Sequence, residues 1–152
     1  RGTNMQFENT VTIRRPAEDV FVFLADFENV PSWNHAIQST TKTSPGPVGV
    51  GSTYRQIRSE PNKSEEGFEV TVFEPTRRLA IDGEIGPFHA RVDYRLEPIE
   101  GATRLINGVD LEPSSAVSKL LAPFAGSRVK AGVAENLDTL KQILETDPRS
   151  PV

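Results

Sequence analysis

The chain has 152 residues, a formal net charge of −4 and no cysteine. This length is typical of one domain that buries its core without disulfides or a structural metal. The lack of cysteine excludes disulfides, thiol nucleophiles and cysteine metal sites, and it agrees with a reducing cytoplasm, where we expect the protein to be located. The negative charge argues against nucleic acid as a partner, and no segment has the pattern of a membrane span or a signal peptide.

The chain is predicted to begin with a strand and two short helices. Apolar and polar residues alternate over 5–13, which predicts a half-buried strand whose apolar face is interrupted by Asn9. Pro16, followed by two acidic residues, is typical of a helix start, and this helix is predicted to end near Asp26. A second helical turn is predicted over 28–33.

The next part of the chain is predicted to form six strands. Apolar and polar residues alternate, most clearly over 88–96, and glycine, proline or charged residues separate the strands. A glycine-rich turn is predicted over 44–51 and a charged hairpin tip over 60–66. Consecutive strands joined by short turns are antiparallel. The six predicted strands cover residues 35–43, 52–59, 68–74, 78–84, 88–96 and 103–111.

The segment 114–145 carries apolar residues at steps of three and four, which place them on one helical face. This register breaks between Phe124 and Val129, and Pro123 lacks an amide proton. We therefore predict a short helix that ends near Leu121 and a long helix that starts at Pro123. The long helix would measure about 33 Å and the clearest strand about 34 Å. This match in length indicates a sheet that wraps around the helix.

These elements predict an α+β fold, in which a seven-stranded antiparallel sheet surrounds a long C-terminal helix and two short helices follow the first strand. We expect a single domain over residues 5–145, a cloning remnant at 1–4 and a disordered tail at 146–152.

The element order and several short segments resemble the START-like or Bet v 1-like superfamily, also called SRPBCC. More closely, the chain resembles its polyketide cyclase/dehydrase and lipid transport group, over residues 7–144. The resemblance implies a helix-grip fold with an elongated cavity between sheet and helix, and members of the group bind lipids, steroids, quinones or hormones or cyclise polyketides. The segments that carry the resemblance are RPAEDVF at 15–21, Trp33, Gly51-Ser52, Glu74-Pro75 and GATRL at 101–105.

The residues themselves also indicate a cavity. Polar side chains occupy the inward phase of several strands, and the facing helix carries small residues at 122, 125, 126, 131, 132 and 134. Small residues opposite polar and aromatic ones leave space for a small molecule. Alternatively, the small residues only let helix and sheet approach closely. The predicted ligand-binding residues are Trp33, His35, Tyr54, Gln56, Arg58, Phe88, Tyr94, Asn107 and Phe124.

Three of these residues have alternative interpretations. An inward Arg58 needs an anion, which is Glu74, another side chain, or a carboxylate or enolate of a ligand. His35 is either an acid or base at the mouth of the cavity or a structural residue. Trp33 either lines one end of the pocket, where the family places an aromatic residue, or belongs to the core. His89 lies on the polar phase of its strand, which predicts a surface position. Neither a metal nor a cofactor is expected.

The leading functional hypothesis is a domain that binds one hydrophobic small molecule, such as a lipid, isoprenoid or polyketide, beneath a lid formed by the loops at 44–51 and 83–87. The first alternative is a polyketide cyclase or aromatase, which needs an acid or base and an enolate stabiliser. The second alternative is a protein-interaction module, which predicts an exposed apolar patch. The sequence leaves open whether the protein is a monomer or a homodimer paired through an edge strand.

Overall fold

The computed structural model describes residues 5–60, 62–113 and 116–146, with the side chains of 116–126 excepted. The expected remnant at 1–4 and the expected tail beyond Thr146 lie outside the described residues. The elements, in chain order, are β1 Met5–Ile13, α1 Ala17–Ala25, a 3-10 turn Phe27–Asn29, α2 Val30–Trp33, β2 Ile37–Lys42, β3 Thr53–Arg58, β4 Ser64–Glu74, β5 Arg78–Ile85, β6 Phe88–Ile99, β7 Ala102–Pro113 and α3 Ala116–Glu145.

Within the described residues, seven strands form one antiparallel sheet in the order β1-β7-β6-β5-β4-β3-β2. Helix α3 packs on β1 and β7 and contacts α2. The predicted fold class, an antiparallel sheet of this size with a long C-terminal helix and short helices after the first strand, is confirmed.

The core forms where the apolar faces of helices and strands meet. Leu137, Leu140 and Leu144 recur at steps of three and four along α3 and are buried. They belong to the same cluster as buried residues of α1, among them Val20 and Leu24. Each such side chain contributes roughly 1.5–3 kcal/mol through its removal from water. The short helices therefore share one core with α3, with α1 in contact with β6 and β7 and α2 in contact with β2.

Helix α3 is continuous from Ala116 to Glu145, so the predicted break at Pro123 is wrong. Proline fixes φ near −65°, which is a helical value, and the chain therefore continues as a helix at the loss of one backbone hydrogen bond. At about 1.5 Å per residue, this helix is about 45 Å long.

Strand β4 begins at Ser64, so the predicted hairpin tip over 60–66 is too long. The pairing of β3 with β4 extends to Arg58 opposite Ser64, with Gln56 opposite Glu66. Because the strands pair to their ends, the charged residues at the start of β4 alternate between the two faces of the sheet. Glu66 consequently points into the protein, where it is 2% exposed.

Arg15 makes hydrogen bonds that connect the N-terminal part of the chain with its C-terminal part. Its buried guanidinium donates to Asp19 Oδ2 at 2.7 Å and to the main-chain oxygen of Leu144 near the end of α3. Its own main-chain oxygen accepts a hydrogen bond from Thr103 Oγ1 at 2.8 Å. One residue therefore joins α1, β7 and the C-terminal end of α3.

Replacing Gly83 with alanine is expected to lower the free energy of unfolding by about 2 kcal/mol, because overpacking strains neighbouring backbone. A Cβ at Gly83 would collide with the main-chain oxygen of Gly67 and with the backbone of Phe68. At Gly108 the nearest atom is Glu8 Cγ at 3.9 Å, so Gly108→Ala is the matched control. Urea denaturation measures both variants, and equal stabilities would contradict the expected collision.

Candidate functional site

A cavity of about 100 Å³ lies between the inner face of the sheet, the short helices and the middle of α3. Its walls are mainly apolar and come from every strand except β1 and β2. The apolar lining residues are Leu24, Phe27, Val30, Trp33, Phe68, Ile81, Ile85, Ala90, Val92, Val109, Val133 and Leu137. The polar lining residues are Asn34, Gln56, Arg58, Glu84, Tyr94, Asn107 and Asn136.

Arg58, which lines the cavity, belongs to a buried ion pair. Arg58 Nε donates to Glu66 Oε2 at 2.7 Å, and the two side chains are 11% and 2% exposed. The same carboxylate accepts hydrogen bonds from Gln56 Nε2 at 3.0 Å, from Ser64 Oγ at 3.0 Å and from the Gly86 amide at 2.8 Å. Burial alone would raise the pKa of Glu66, but these hydrogen bonds and the Arg58 charge hold it below its usual value. Glu66 is therefore an anion that positions Arg58.

The partner of Arg58 is a residue that sequence analysis missed. An internal anion was one of the alternatives for Arg58, with Glu74 as the named candidate, and the structure places Glu66 there instead. The signal was present, because the inward phase of β4 runs from Val70 through Phe68 back to Glu66 at steps of two. Assigning the charged stretch to a hairpin tip concealed it.

Several donors around the cavity have no partner among the described residues. Trp33 is 6% exposed, and its buried Nε1–H makes no hydrogen bond within that part of the chain. Arg58 uses Nε for Glu66, and its two terminal amino groups have no partner among the described side chains and backbone. A ligand that enters the cavity therefore meets donors that the protein itself leaves unused.

Tyr94 and Asn107 face each other across β6 and β7 in the cavity wall. Burial raises the pKa of the Tyr94 hydroxyl well above its ordinary value, so this group stays neutral and serves as a donor or acceptor. Asn107 donates to the main-chain oxygen of Asp93 at 3.1 Å, which leaves its amide oxygen as an acceptor. This wall is polar but uncharged.

Five of the nine residues predicted for the site line the cavity, namely Trp33, Gln56, Arg58, Tyr94 and Asn107. Phe124 belongs to the part of α3 whose side chains lie outside the described set. Whether the five contact a ligand stays a prediction.

His35, Tyr54 and Phe88 are not among the residues that line this cavity, and their predicted contact with a ligand stays a prediction. His35 is exposed, and its ring Nε2 lies 3.0 Å from Thr139 Oγ1 on the outer side of α3. The Tyr54 ring stacks on Phe68 with centroids 5.0 Å apart and meets Phe27 edge to face. Phe88 packs in a second apolar cluster with Leu111. Tyr54 and Phe88 are thus buried against other side chains, whereas His35 lies on the surface.

The helix face and the loops also differ from prediction. Val133, Asn136 and Leu137 line the cavity, whereas Ala131 is exposed and does not. No residue of the predicted lid at 44–51 lines the cavity, and Lys42 Nζ donates to the main-chain oxygens of Ser44 and Gly46 within this turn. In the predicted lid at 83–87, residues 83–85 belong to β5, so only the turn beyond them is a loop.

Surface charges form pairs outside the cavity. His89, predicted to lie on the surface, is exposed, and its Nε2 lies 2.9 Å from Asp82 Oδ1. Arg78 pairs with Asp93 at 3.1 Å across β5 and β6.

No cluster of three or more histidine and acidic side chains suited to a metal ion occurs in the described residues. None of the described helices has the length and hydropathy needed to cross a bilayer.

Alkaline titration is expected to find both tyrosines resistant to ionisation. Burial first, and then the charges of Glu28 and Asp26, raise the pKa of Tyr54 from 10.0 to about 12, and burial raises that of Tyr94. The folded state then holds protons that the unfolded state releases, so the free energy of unfolding falls as pH rises from 10 towards 12. Tyrosinate absorbance of the folded protein measures this, and a titration midpoint near 10 would contradict it.

The fold and the cavity define a class of protein. The structure is similar to the Zhui aromatase/cyclase from Streptomyces sp. R1128, with a TM-score of 0.81, 15% identity and coverage of 93% of this chain and 94% of that one. It is also similar to Ara h 8.0201, with a TM-score of 0.75, 15% identity and coverage of 95% and 99%. These likenesses confirm the START-like or Bet v 1-like fold and, at such low identity, show the fold alone.

The family follows from the sequence match. The family model for polyketide cyclase/dehydrase and lipid transport matches residues 4–145, and the chain therefore belongs to this family. The uncharacterized proteins Rv2574 of Mycobacterium tuberculosis and Mb2604 of Mycobacterium bovis are each 34% identical over 106 residues, which is 65% of this chain. The match spans 60% of the length of these relatives.

Proposed function

We propose that the protein binds one predominantly hydrophobic small molecule, such as a lipid, an isoprenoid or a polyketide-like compound, in the cavity between the sheet and α3. The observation that carries this proposal is a cavity with mostly apolar walls and a few unpaired polar groups. Burial of the ligand's apolar surface, at roughly 25 cal/mol per Å², would drive binding, and the polar groups would orient it. Family membership and the likeness to an aromatase/cyclase support the proposal.

The size of the cavity limits how a ligand is held. A volume of about 100 Å³ is below the roughly 300–1,000 Å³ usual for drug-sized ligands, so it takes one ring or a short chain. Glu84 lines the cavity and is exposed, which places an opening beside β5. We propose that a longer ligand inserts one end into the cavity while its other end extends out through this opening. Alternatively, the ligand separates the β5–β6 turn from Glu66 as it enters.

Native mass spectrometry of the protein purified from cells, before and after delipidation, tests this function. We expect an adduct of a small apolar molecule that disappears on delipidation and returns when the extracted lipid fraction is added back. An unliganded mass in every sample, including the one incubated with the extract, would contradict the proposal.

A second candidate function is cyclisation and dehydration of a poly-β-ketone. It is favoured by one observation: the unpaired terminal amino groups of Arg58 and the neutral hydroxyl of Tyr94 line the same cavity, where they would stabilise an enolate and donate a proton. Turnover of a linear poly-β-ketone by Arg58→Lys and Tyr94→Phe tests it, and unchanged rates in both variants would count against it. An interaction module would present an exposed apolar patch. The large exposed apolar residues in the described chain are Val22, Val50 and Ile99, and they lie on different elements, which does not favour this alternative.

A further inference from the structure

We propose that the ligand presents a neutral carbonyl-type hydrogen-bond acceptor to the end of the cavity formed by Trp33, Asn34, Arg58 and Asn136, which we call the donor end. This inference rests on the proposed function, because it names the polar group of the molecule that the cavity binds.

The first observation is the unused indole N–H of Trp33. Indole nitrogen is a donor and never an acceptor, so only an acceptor can satisfy it. The residue is 6% exposed and lines the cavity, and Nε1 has no hydrogen-bond partner in the described part of the protein. A buried donor without a partner is costly, and a ligand acceptor would remove that cost.

The second observation is that further donors lie beside it. Arg58 pairs with Ile37 in the sheet, and the Ser59 amide donates to the Ala36 main-chain oxygen at 2.8 Å, which places Arg58 next to the chain leaving α2. Since Nε of Arg58 is occupied by Glu66, the terminal amino groups are the part of its guanidinium that a ligand can use.

Two asparagine side chains add donors in the same place. Asn34 Oδ1 accepts from the Ala36 amide at 3.0 Å, and Asn136 Oδ1 accepts from the His35 amide at 3.1 Å. Because an amide oxygen must face each of these N–H groups, the NH₂ of both side chains is left to donate. Both residues line the cavity. The donor end therefore offers three kinds of N–H group from four residues, and the complementary ligand group is an acceptor.

The charge balance favours a neutral acceptor over an anion. Glu66 is 2% exposed and lies 2.7 Å from Arg58, so the positive charge of the guanidinium is already compensated. A ligand carboxylate would add an uncompensated negative charge to a buried site, which is costly. The carbonyl oxygen of a ketone, quinone or ester accepts the same hydrogen bonds without that charge.

The test uses two neutral probes of equal size, an anionic probe that is two non-hydrogen atoms larger, and the single tryptophan of the chain. Cyclopentanone carries the carbonyl, methylenecyclopentane replaces its oxygen with carbon, and cyclopentanecarboxylate carries an anion. Because Trp33 is the single tryptophan, the one indole N–H resonance expected in proton–nitrogen correlation spectra belongs to it. We expect cyclopentanone to move this proton downfield on saturation, methylenecyclopentane to bind without that shift, and cyclopentanecarboxylate to bind more weakly than cyclopentanone.

Two variants separate the hydrogen bond from the change in cavity shape. Trp33→Phe removes the donor and keeps an aromatic ring. We expect this variant to weaken the binding of cyclopentanone roughly fivefold more than the binding of methylenecyclopentane. The ratio of the two probes' dissociation constants is measured on each protein, and the comparison of this ratio between proteins cancels the different hydration of the probes. Tyr54→Phe removes another buried polar atom that has no partner among the described residues but belongs to a side chain outside the cavity, and it should leave the ratio unchanged.

The outcomes distinguish the inference from the function beneath it. If both neutral probes bind, the indole proton does not move and Trp33→Phe affects them equally, the inference is overturned and the proposed function stands. If cyclopentanecarboxylate binds most tightly and moves the indole proton, the acceptor is an anion and the inference is overturned. If no probe binds, both the inference and the proposed function fail.

Discussion

Replacing Glu66 with leucine is expected to lower the free energy of unfolding by about 3–5 kcal/mol, because the change leaves a buried cation without its partner. Arg58 lies 2.7 Å from Glu66, and both side chains are almost fully buried. The variant also removes the acceptor for the Gly86 amide and for Gln56. Urea denaturation, followed by circular dichroism, measures the loss.

Two further variants show whether this loss comes from the buried pair. The double variant Arg58→Met with Glu66→Leu removes both charges and should recover most of the stability, since apolar residues of similar size often replace a buried pair without loss. Glu65→Leu is the matched control, because Glu65 pairs with Arg55 at 3.2 Å on the exposed face, where an ion pair contributes less than about 1 kcal/mol. A Glu66→Leu variant as stable as Glu65→Leu would contradict this account of the pair.

Replacing Val133 with phenylalanine is expected to weaken ligand binding at least about tenfold, or about 1.4 kcal/mol. Val133 lies on α3 and lines the cavity, and the larger ring would occupy much of its volume of about 100 Å³. The adduct seen by native mass spectrometry should be lost or reduced in this variant.

The control for Val133→Phe lies one helical turn away. Val129 packs against the second apolar cluster and is not part of the cavity wall, so Val129→Phe makes the same chemical change outside the site. We expect Val129→Phe to lose about 1–3 kcal/mol of stability through overpacking, and only Val133→Phe, which fills the cavity, to lose the ligand. Retention of the adduct in both variants would place the ligand elsewhere.

The fold was predictable because each element carries its own periodic pattern. Alternation over β6 and the three-and-four spacing of Leu137, Leu140 and Leu144 fix which face each element buries, and the order of the elements then selects the topology. Two boundaries were exceptions: the start of β4, and Pro123, where the missing amide proton was taken as a boundary. A single proline does not decide a helix when its fixed φ is already helical.

The site was only partly predictable, because cavity walls depend on how elements are placed relative to one another. Period two along β3 correctly indicated that Gln56 and Arg58 point inward, and both line the cavity. The same argument along β4 would have found Glu66 if the strand had been predicted to start at Ser64. The position of His35 follows from its contact with Thr139 on a helix far along the chain, which no local pattern contains.

The central claim is that the ligand occupies the space between the sheet and α3, next to Trp33, Tyr94 and Val133. The most direct test is a crystal structure of the protein purified from cells without delipidation. We predict electron density for an elongated molecule with one end against these three side chains and the other leaving beside Glu84. A core closed by side chains, or density bound only on the outer surface of the sheet, would contradict the claim.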